Sequence, residues 1–443
     1  MALFGTDGIR GRYGEFLTTN LAQRVAFAAG RLLPARSRVI IGRDPRSSGA
    51  LLEEALSLGF TQSGHDVIRV GIIPTPGLAF LALEPGIALG VMITASHNPA
   101  VDNGIKIFGN DGMKISDHLE EKIEEWVNSS EDIAIVNQEE LGNSSADTKA
   151  ISRYIEHLKS SIDISLSGLT LVVDCANGAA AYVAPQVLQD LGAVVRVIGG
   201  EPNGTNINEG VGSTHLEVLQ QEMRNSGADL GIAHDGDADR TLLVDKQGRI
   251  IDGDAILAAL AISMSDKGKL KKNTVVTTVM SNLGFHKKMS EVGISVEITA
   301  VGDRYVLERI NADGLSLGGE QSGHVIIREL STTGDGILTA LAILALIKSG
   351  AIHADSLADV FPHFPQVLEN LPVVDKTRAL ADLDVQKAIA DAESSLGEDG
   401  RILVRASGTE DLVRVMAEAD TIERAQLAVN SISHIVRDRY GAR

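Results

Sequence analysis

Asp235, Asp237 and Asp239 alternate with small residues in AHDGDADRTLLVD, directly after an apolar run. At that spacing three side-chain oxygens can converge on one hard cation. Mg2+ is the natural candidate, with Arg240 beside it to hold a phosphate oxygen. An EF-hand does not fit, because no bidentate acid stands at the twelfth position and the segment leaves a strand pattern. A solvated acidic turn is the plainer reading of the same residues. Ser96, in GVMITASHNPAVDNGIKIFG, has His97 and Lys106 close in sequence. A serine hydroxyl acts as a nucleophile only with help from a base, a metal or a charge. The Gly-x-Ser-x-Gly elbow of hydrolases is missing, so an acyl-transfer triad is not supported. Read alone, Ser96 could equally cap a turn before Pro99.

A third loop, VRASGTEDLVRVMAE, supplies Arg405, Ser407, Gly408, Thr409 and Arg414. Glycine lets the main chain approach an anion, hydroxyls donate to its oxygens and arginine binds it as a fork, which together make a phosphate cradle. FGTDGIRG adds Thr6, Asp7 and Arg10, which could present charge to a phosphate. LGGEQSGHV adds Glu320, Ser322 and His324, with a carboxylate and a hydroxyl suited to sugar hydroxyls. Each of these has a bland turn reading of its own, and a lone histidine is more often a satisfied structural residue.

The elements that must position these loops alternate between two periods. LAQRVAFAAGRLL places Leu21, Val25, Ala28, Ala29 and Leu32 on one helical face, while SRVIIG, LTLVVD and NTVVTTV read as buried strands. One unit recurs three times: SGHDVIRVG before ALGVMITASHNP, LGAVVRVIG before ADLGIAHDGDADR, and VGISVEITAVG before LSLGGEQSGH. Each has a helix-ending glycine, a strand, a second glycine and then an apolar stretch running into a polar loop. Open α/β sheets bind ligands at the carboxyl ends of their strands, so three such loops could face one cleft. Boundaries are expected near Ala150, after a polar stretch, and at FPHFPQ, where two prolines interrupt any helix. With a further division near 252 between the second and third repeat units, the expected domains are 1–150, 151–252, 253–366 and 367–443. The last lacks the repeat; it is expected to hold a strand near ENLPVV and a closing helix with Asp420 and Glu423 at capping-box spacing.

With 443 residues, 44% hydrophobic and 22% charged, the chain is long enough for about three domains. Its net charge of −19 argues against nucleic acid or an anionic membrane as the main partner, so an anionic substrate must meet local clusters of Arg and Lys. Cys175 is the single cysteine, which excludes an intrachain disulfide, reads as a buried hydrophobe and suits a reducing cytoplasm. MALFGTDGIRG lacks the pattern of a signal peptide, and the run Ile337 to Ile347 is too short for a membrane span and reads as a buried helix.

TASHNP, DGDADR, GGEQSGH and RASGTED, in that order, resemble the four loops of the α-D-phosphohexomutase superfamily, and FGTDGIRG extends the likeness to the start of the chain. FGTDGIRG, GEQSGH, VGDRYV and TTGDG are most similar to its bacterial branch acting on glucosamine phosphates. The resemblance implies an α/β protein of three similar domains with mixed, mostly parallel sheets, plus a smaller C-terminal α+β domain, around a central cleft. It implies a cytoplasmic isomerase that interconverts glucosamine 6-phosphate and glucosamine 1-phosphate through phospho-Ser96 and glucosamine 1,6-bisphosphate, toward UDP-N-acetylglucosamine and the cell wall. Carried over by position, the Ser96 phosphate with Asp235, Asp237 and Asp239 would bind Mg2+. Glu320, Ser322 and His324 would line the sugar site. Arg405, Ser407, Gly408, Thr409 and Arg414 would grip the phosphate that is not reacting. Arg10, His97, Lys106 and Arg240 would surround the transferred phosphoryl group, with Lys106 or His97 moving the proton. Small sugar phosphates are the expected ligands and a homodimer is a family expectation. Asp411 replaces the usual proline of the phosphate loop, and His234 stands where an apolar residue is common. A glucose or mannose phosphate mutase, a sugar phosphatase and a non-catalytic sugar-phosphate sensor are the alternatives.

Overall fold

A computed structural model describes residues 3–5, 7–129, 132–407 and 411–442. The chain divides into two compact units: one runs to Thr278 and resumes over Ile294–Val360, the other joins Val279–Gly293 to the chain from Phe361 onward.

The first unit holds three mixed sheets. The first is built from β1 (Ile9–Arg12), β2 (Arg38–Arg43), β3 (Asp66–Ile72), β4 (Ile87–Ile93), β5 (Asp102–Gly109) and β6 (Ser144–Ala146), in the order β1-β5-β4-β2-β3-β6. The second comprises β7 (Thr170–Asp174), β8 (Val194–Ile198), β9 (Leu230–His234), β10 (Thr241–Val244) and β11 (Ile250–Ile251), in the order β11-β10-β9-β7-β8. The third comprises β12 (Thr274–Thr278), β13 (Ser295–Thr299), β14 (Leu317–Gly319) and β15 (Val325–Ile327), in the order β13-β12-β14-β15. The shared plan is three parallel strands with an antiparallel partner on one side: β5-β4-β2-β3, β10-β9-β7-β8 and β15-β14-β12-β13. The threefold sequence unit is therefore a threefold structural one. Its first glycines, Gly64, Gly192 and Gly293, all have φ between 73° and 100°, where a side chain would be strained.

Apolar periodicity fills these layers. The helix Thr19–Arg31 is capped by Thr18, whose Oγ1 accepts from Leu21 N at 3.1 Å, and it buries Val25, Ala28 and Ala29. Leu32, expected on the same face, instead forms the C-cap and is exposed, because the last helical turn ends before it. The run from Ile337 lies in the helix Gly336–Lys348, with Ile337, Leu341, Ile343 and Leu344 sealed in the core. Each such side chain contributes about 1.5–3 kcal/mol on burial. No described helix is long and apolar enough to cross a membrane.

The second unit is an antiparallel sheet of β16 (Gln366–Pro372), β17 (Gly400–Ala406) and β18 (Leu412–Ala419), in the order β16-β18-β17. The helices Leu383–Leu396 and Ile422–Tyr440 pack against each other and the sheet, with Val413, Val415, Val429 and Ile432 in the core. The strand near ENLPVV begins earlier than the sequence suggests and stops at Pro372. The closing helix is capped by Thr421, not by a box of Asp420 and Glu423: Thr421 Oγ1 accepts from Arg424 N, and Asp420 pairs with the Arg424 guanidinium at 2.6 Å. The helix Leu283–Glu291 belongs to this unit, where Leu283 N donates to buried Glu418 at 2.8 Å and Phe285 meets Phe361 edge-on.

Candidate active site

Three polar loops follow equivalent strands: residues 94–101 join β4 to β5, 235–240 join β9 to β10, and 320–324 join β14 to β15. They meet within the first unit. Ser96 Oγ donates to Asp235 Oδ2 at 2.6 Å and lies 3.3 Å from His97 Nδ1. Gly236 makes this approach possible, since a Cβ there would stand 2.5 Å from the Ser96 carbonyl oxygen. Asp235, Asp237 and Asp239 are all buried and each offers an oxygen within 4.8 Å of the others. Asp237 Oδ1 and Asp239 Oδ1 are buried without a hydrogen-bond partner among the described residues. Such orphaned carboxylate oxygens, converging in one place, fit a hard divalent cation.

Lys106 projects from β5, almost wholly buried, with Nζ 2.9 Å from Asp237 Oδ2, 3.2 Å from Asp239 Oδ2 and 3.2 Å from Asp7 Oδ2. Burial alone would depress its pKa, but the carboxylates of Asp237, Asp7 and Asp239 outweigh it and hold the ammonium charged. Burial together with the charges of Asp239 and Asp237 pushes the Asp235 carboxyl well up, whereas Lys106 overcomes burial to hold Asp239 well below the usual range. Asp7 also pairs with Arg10 and Lys114, and Lys114 in turn reaches Asp303 at 2.5 Å. Burial and the charges of Arg240 and Arg10 push the His97 imidazole down to about 4. Arg240 donates its backbone N–H to Asp235 at 3.2 Å, and its partly exposed side chain is held charged against desolvation by Asp239 and Asp235.

On the third loop, Glu320 Oε1 accepts from Gly302 N at 3.0 Å, which fixes its carboxylate. Buried His324 sits 3.8 Å from both Asp239 Oδ2 and Asp303 Oδ2; burial would depress its pKa, but those carboxylates raise it. Ser322 Oγ is buried with no hydrogen-bond partner among the described residues. A cavity of about 760 Å³ opens beside this group, lined in part by Lys114, Asp303, Arg304, His324 and Thr333. His234 is buried on β9 with Nδ1 3.1 Å from the Arg240 carbonyl, a structural contact and not a metal contact.

In the second unit, Arg405 and Arg414 stand directly opposite each other on β17 and β18. Burial and the neighbouring guanidinium lower the pKa of Arg405, so this like-charged pair is suited to an anion. Ser407 is buried and its carbonyl accepts from Lys376 Nζ at 2.9 Å. Asp411 is largely exposed, 4.0 Å from Lys376. Gly408 and Thr409, expected in the cradle, lie outside the described residues, as does Thr6 near the start.

Several polar residues at the first-unit site were not singled out from the sequence. Thr75 Oγ1 donates to Asp237 Oδ2 at 2.6 Å, Lys114 and Asp303 extend the ion-pair chain through Asp7, and Arg46 and Asn208 lie under the Ser96 loop. For Arg46 the one signal was charge beside a buried strand, in VIIGRDPRSSG, and uncharged Thr75 and Asn208 left none.

Four family models match the chain in order. They are phosphoglucomutase/phosphomannomutase alpha/beta/alpha domain I over residues 1–134, domain II over 152–248, domain III over 252–364 and the C-terminal domain over 368–434. The chain is 49% identical to a phosphoglucosamine mutase of Corynebacterium glutamicum, covering 98% of this chain and 99% of that one. It is 48% identical to another from Thermobifida fusca, covering 98% of each. Among solved structures, a phosphoglucomutase/phosphomannomutase family protein from Burkholderia thailandensis matches with a TM-score of 0.83 at 24% identity, over 99% of this chain and 97% of that one. N-acetylphosphoglucosamine mutase of Aspergillus fumigatus matches with a TM-score of 0.71 at 19% identity, over 98% and 95%. Agreement of sequence over nearly the full length of both chains goes beyond a shared fold: this chain belongs to the phosphoglucomutase/phosphomannomutase family.

Proposed function

We propose that the chain interconverts glucosamine 6-phosphate and glucosamine 1-phosphate through a 1,6-bisphosphate, with Ser96 carrying the phosphoryl group between them. The observation that carries this reading is the 2.6 Å contact of Ser96 Oγ with Asp235, which sets a hydroxyl at the edge of a three-carboxylate cluster. The choice of sugar rests on the relatives, which at 48–49% identity are phosphoglucosamine mutases. The Aspergillus enzyme was solved with GlcNAc-6P and magnesium. Here Asp235, Asp237 and Asp239, with a phosphate oxygen on Ser96, would hold Mg2+. When bound, the ion neutralises charge on the oxygens of the transferring group.

Phosphoryl transfer mainly requires alignment and compensated charge. The Ser96 Oγ–P bond breaks as a bond forms from phosphorus to the free sugar hydroxyl, whose proton passes to a base. His97, with Nδ1 3.3 Å from Ser96 Oγ, stands at the leaving oxygen, where it returns the hydroxyl proton as Oγ departs and takes it again when Oγ attacks in the return step, while Lys106, engaged with three carboxylates, serves as fixed positive charge. Arg10 and Arg240 hold the transferring oxygens. Glu320, Ser322 and His324 orient the sugar. Arg405, Ser407, Gly408, Thr409 and Arg414 hold the second phosphate, and must accept either end of the bisphosphate as it reverses and returns its other phosphoryl group to Ser96. The reading includes a cytoplasmic setting, supported by the lone, buried Cys175, and a homodimer as the family expectation.

The test is a coupled assay of the purified chain on glucosamine, glucose and mannose 6-phosphates, with Mg2+ and trace bisphosphate. Glucosamine phosphate should turn over fastest and Ser96→Ala should abolish turnover. Faster glucose or mannose conversion overturns the sugar assignment, substantial turnover by Ser96→Ala overturns the carrier role, and net phosphate release makes the chain a phosphatase.

A further inference from the structure

Arg46 follows β2 in VIIGRDPRSSG and is 1% exposed, an unusual burial for an arginine. Every N–H of its guanidinium is engaged. Nε donates to Asp44 Oδ2 at 2.9 Å, Nη1 to the carbonyls of Pro99 and, at 3.1 Å, Asp102, and Nη2 to the carbonyls of Ser96 at 3.0 Å and Asn98 at 2.9 Å. Four carbonyls around one loop converge on a single planar cation, which an ammonium on a flexible stem cannot reproduce. Asp44 Oδ2 also accepts from Thr94 Oγ1 at 2.7 Å, and Thr94 Oγ1 accepts the Ser96 N–H at 2.9 Å.

The second module reaches the same loop. Asn208, itself left-handed at φ 60°, gives its side-chain amide to the carbonyls of Ser96 and Asn98, both at 2.9 Å. The Ser96 carbonyl thus has two donors, one from each module. Ser96 has φ 51°, a strained conformation for a non-glycine residue that persists only where its surroundings hold it. Arg46 and Asn208 impose it.

We propose that Arg46 and Asn208 are positioning residues for phosphoryl transfer. They lock the Ser96 backbone, and because Asn208 and Asp235 belong to one module, they set the register between the carrier oxygen and the acid cluster. The proposal rests on Ser96 being the phosphoryl carrier.

Asn208→Gly keeps the left-handed backbone and deletes both amide donors, while Asn208→Asp keeps the shape and turns a carboxylate toward the two carbonyls. The full chain is assayed with Mg2+ for kcat and KM, for single-turnover transfer of labelled phosphoryl from glucosamine 1,6-bisphosphate to Ser96, and for melting. We expect kcat and the labelling rate to fall together by about tenfold or more while KM stays within about twofold. Arg46→Lys should lose at least as much. Wild-type labelling and turnover in either Asn208 variant, a rise in KM alone, or a loss that merely tracks the melting temperature across the three variants overturns the proposal. Absence of label on the wild-type chain overturns the carrier reading itself, and the proposal with it.

Discussion

Lys106 Nζ stands 2.9 Å from Asp237 Oδ2, and both side chains are sealed from solvent. Asp239 and Asp7 share the same ammonium at 3.2 Å, so one buried cation is common to three carboxylates. Removing one partner from a buried ion pair costs about 3–5 kcal/mol, because the remaining charge is left without compensation. Lys106→Met should therefore lower the melting temperature and abolish turnover. Mg2+ should raise the melting temperature of this variant more than that of wild type, since an added cation replaces lost positive charge. Melting curves with and without Mg2+ check this, and unchanged melting would remove Lys106 from the charge balance.

How far the site was legible depended on which atoms do the holding. The aspartates could be read because three identical acids at alternate positions after a strand carry their chemistry in residue type. Ser96 could not be decided on spacing, because its φ of 51° is held by Arg46 and Asn208, 50 and 112 residues away, and its contact with Asp235 reaches a loop 139 residues away. Arg46 was passed over because GRDPRSSG has the composition of a surface turn, and four of the acceptors that bury it are backbone carbonyls, which leave no mark in a sequence. The repeat was legible because left-handed glycines punctuate it at Gly64, Gly192 and Gly293. The allegiance of the helix Leu283–Glu291 was not, since an amphipathic pattern says that a face is buried but not against which core. Leu32 and the Thr421 cap were each misjudged at a helix end, where one residue decides between inside and outside the last turn.

Asp237 offers two oxygens with different tasks. Oδ2 accepts from Thr75 and Lys106, whereas Oδ1 has no hydrogen-bond partner among the described residues and is the oxygen left for a cation. Asp237→Asn lowers the charge of the cluster and can present an amide where an anionic oxygen stood. The Mg2+ concentration for half-maximal activity should rise by about tenfold or more, with maximal activity falling alongside it. Titration of activity with Mg2+ after removal of metal by EDTA measures both, and an unchanged titration would separate the aspartates from metal binding.

Asp335 joins fold stability to pH. It caps the helix Gly336–Lys348 by accepting from Leu338 N at 2.9 Å, and it accepts from Tyr154 OH at 2.8 Å. Burial pushes its carboxyl from an ordinary 3.8 up to about 6, more than these two hydrogen bonds pull it down. Between those values the native chain holds a proton that the unfolded chain has released. Stability therefore falls as pH rises through this window, and the cost is complete above about pH 6, on the order of 3 kcal/mol for about two pH units. Asp335→Asn retains an acceptor for Leu338 N without the charge. Its melting temperature should exceed that of wild type at neutral pH, with the gap narrowing as pH falls from about 6 toward 4. A gap of constant size across that range would show that ionisation of Asp335 is not what the native state opposes.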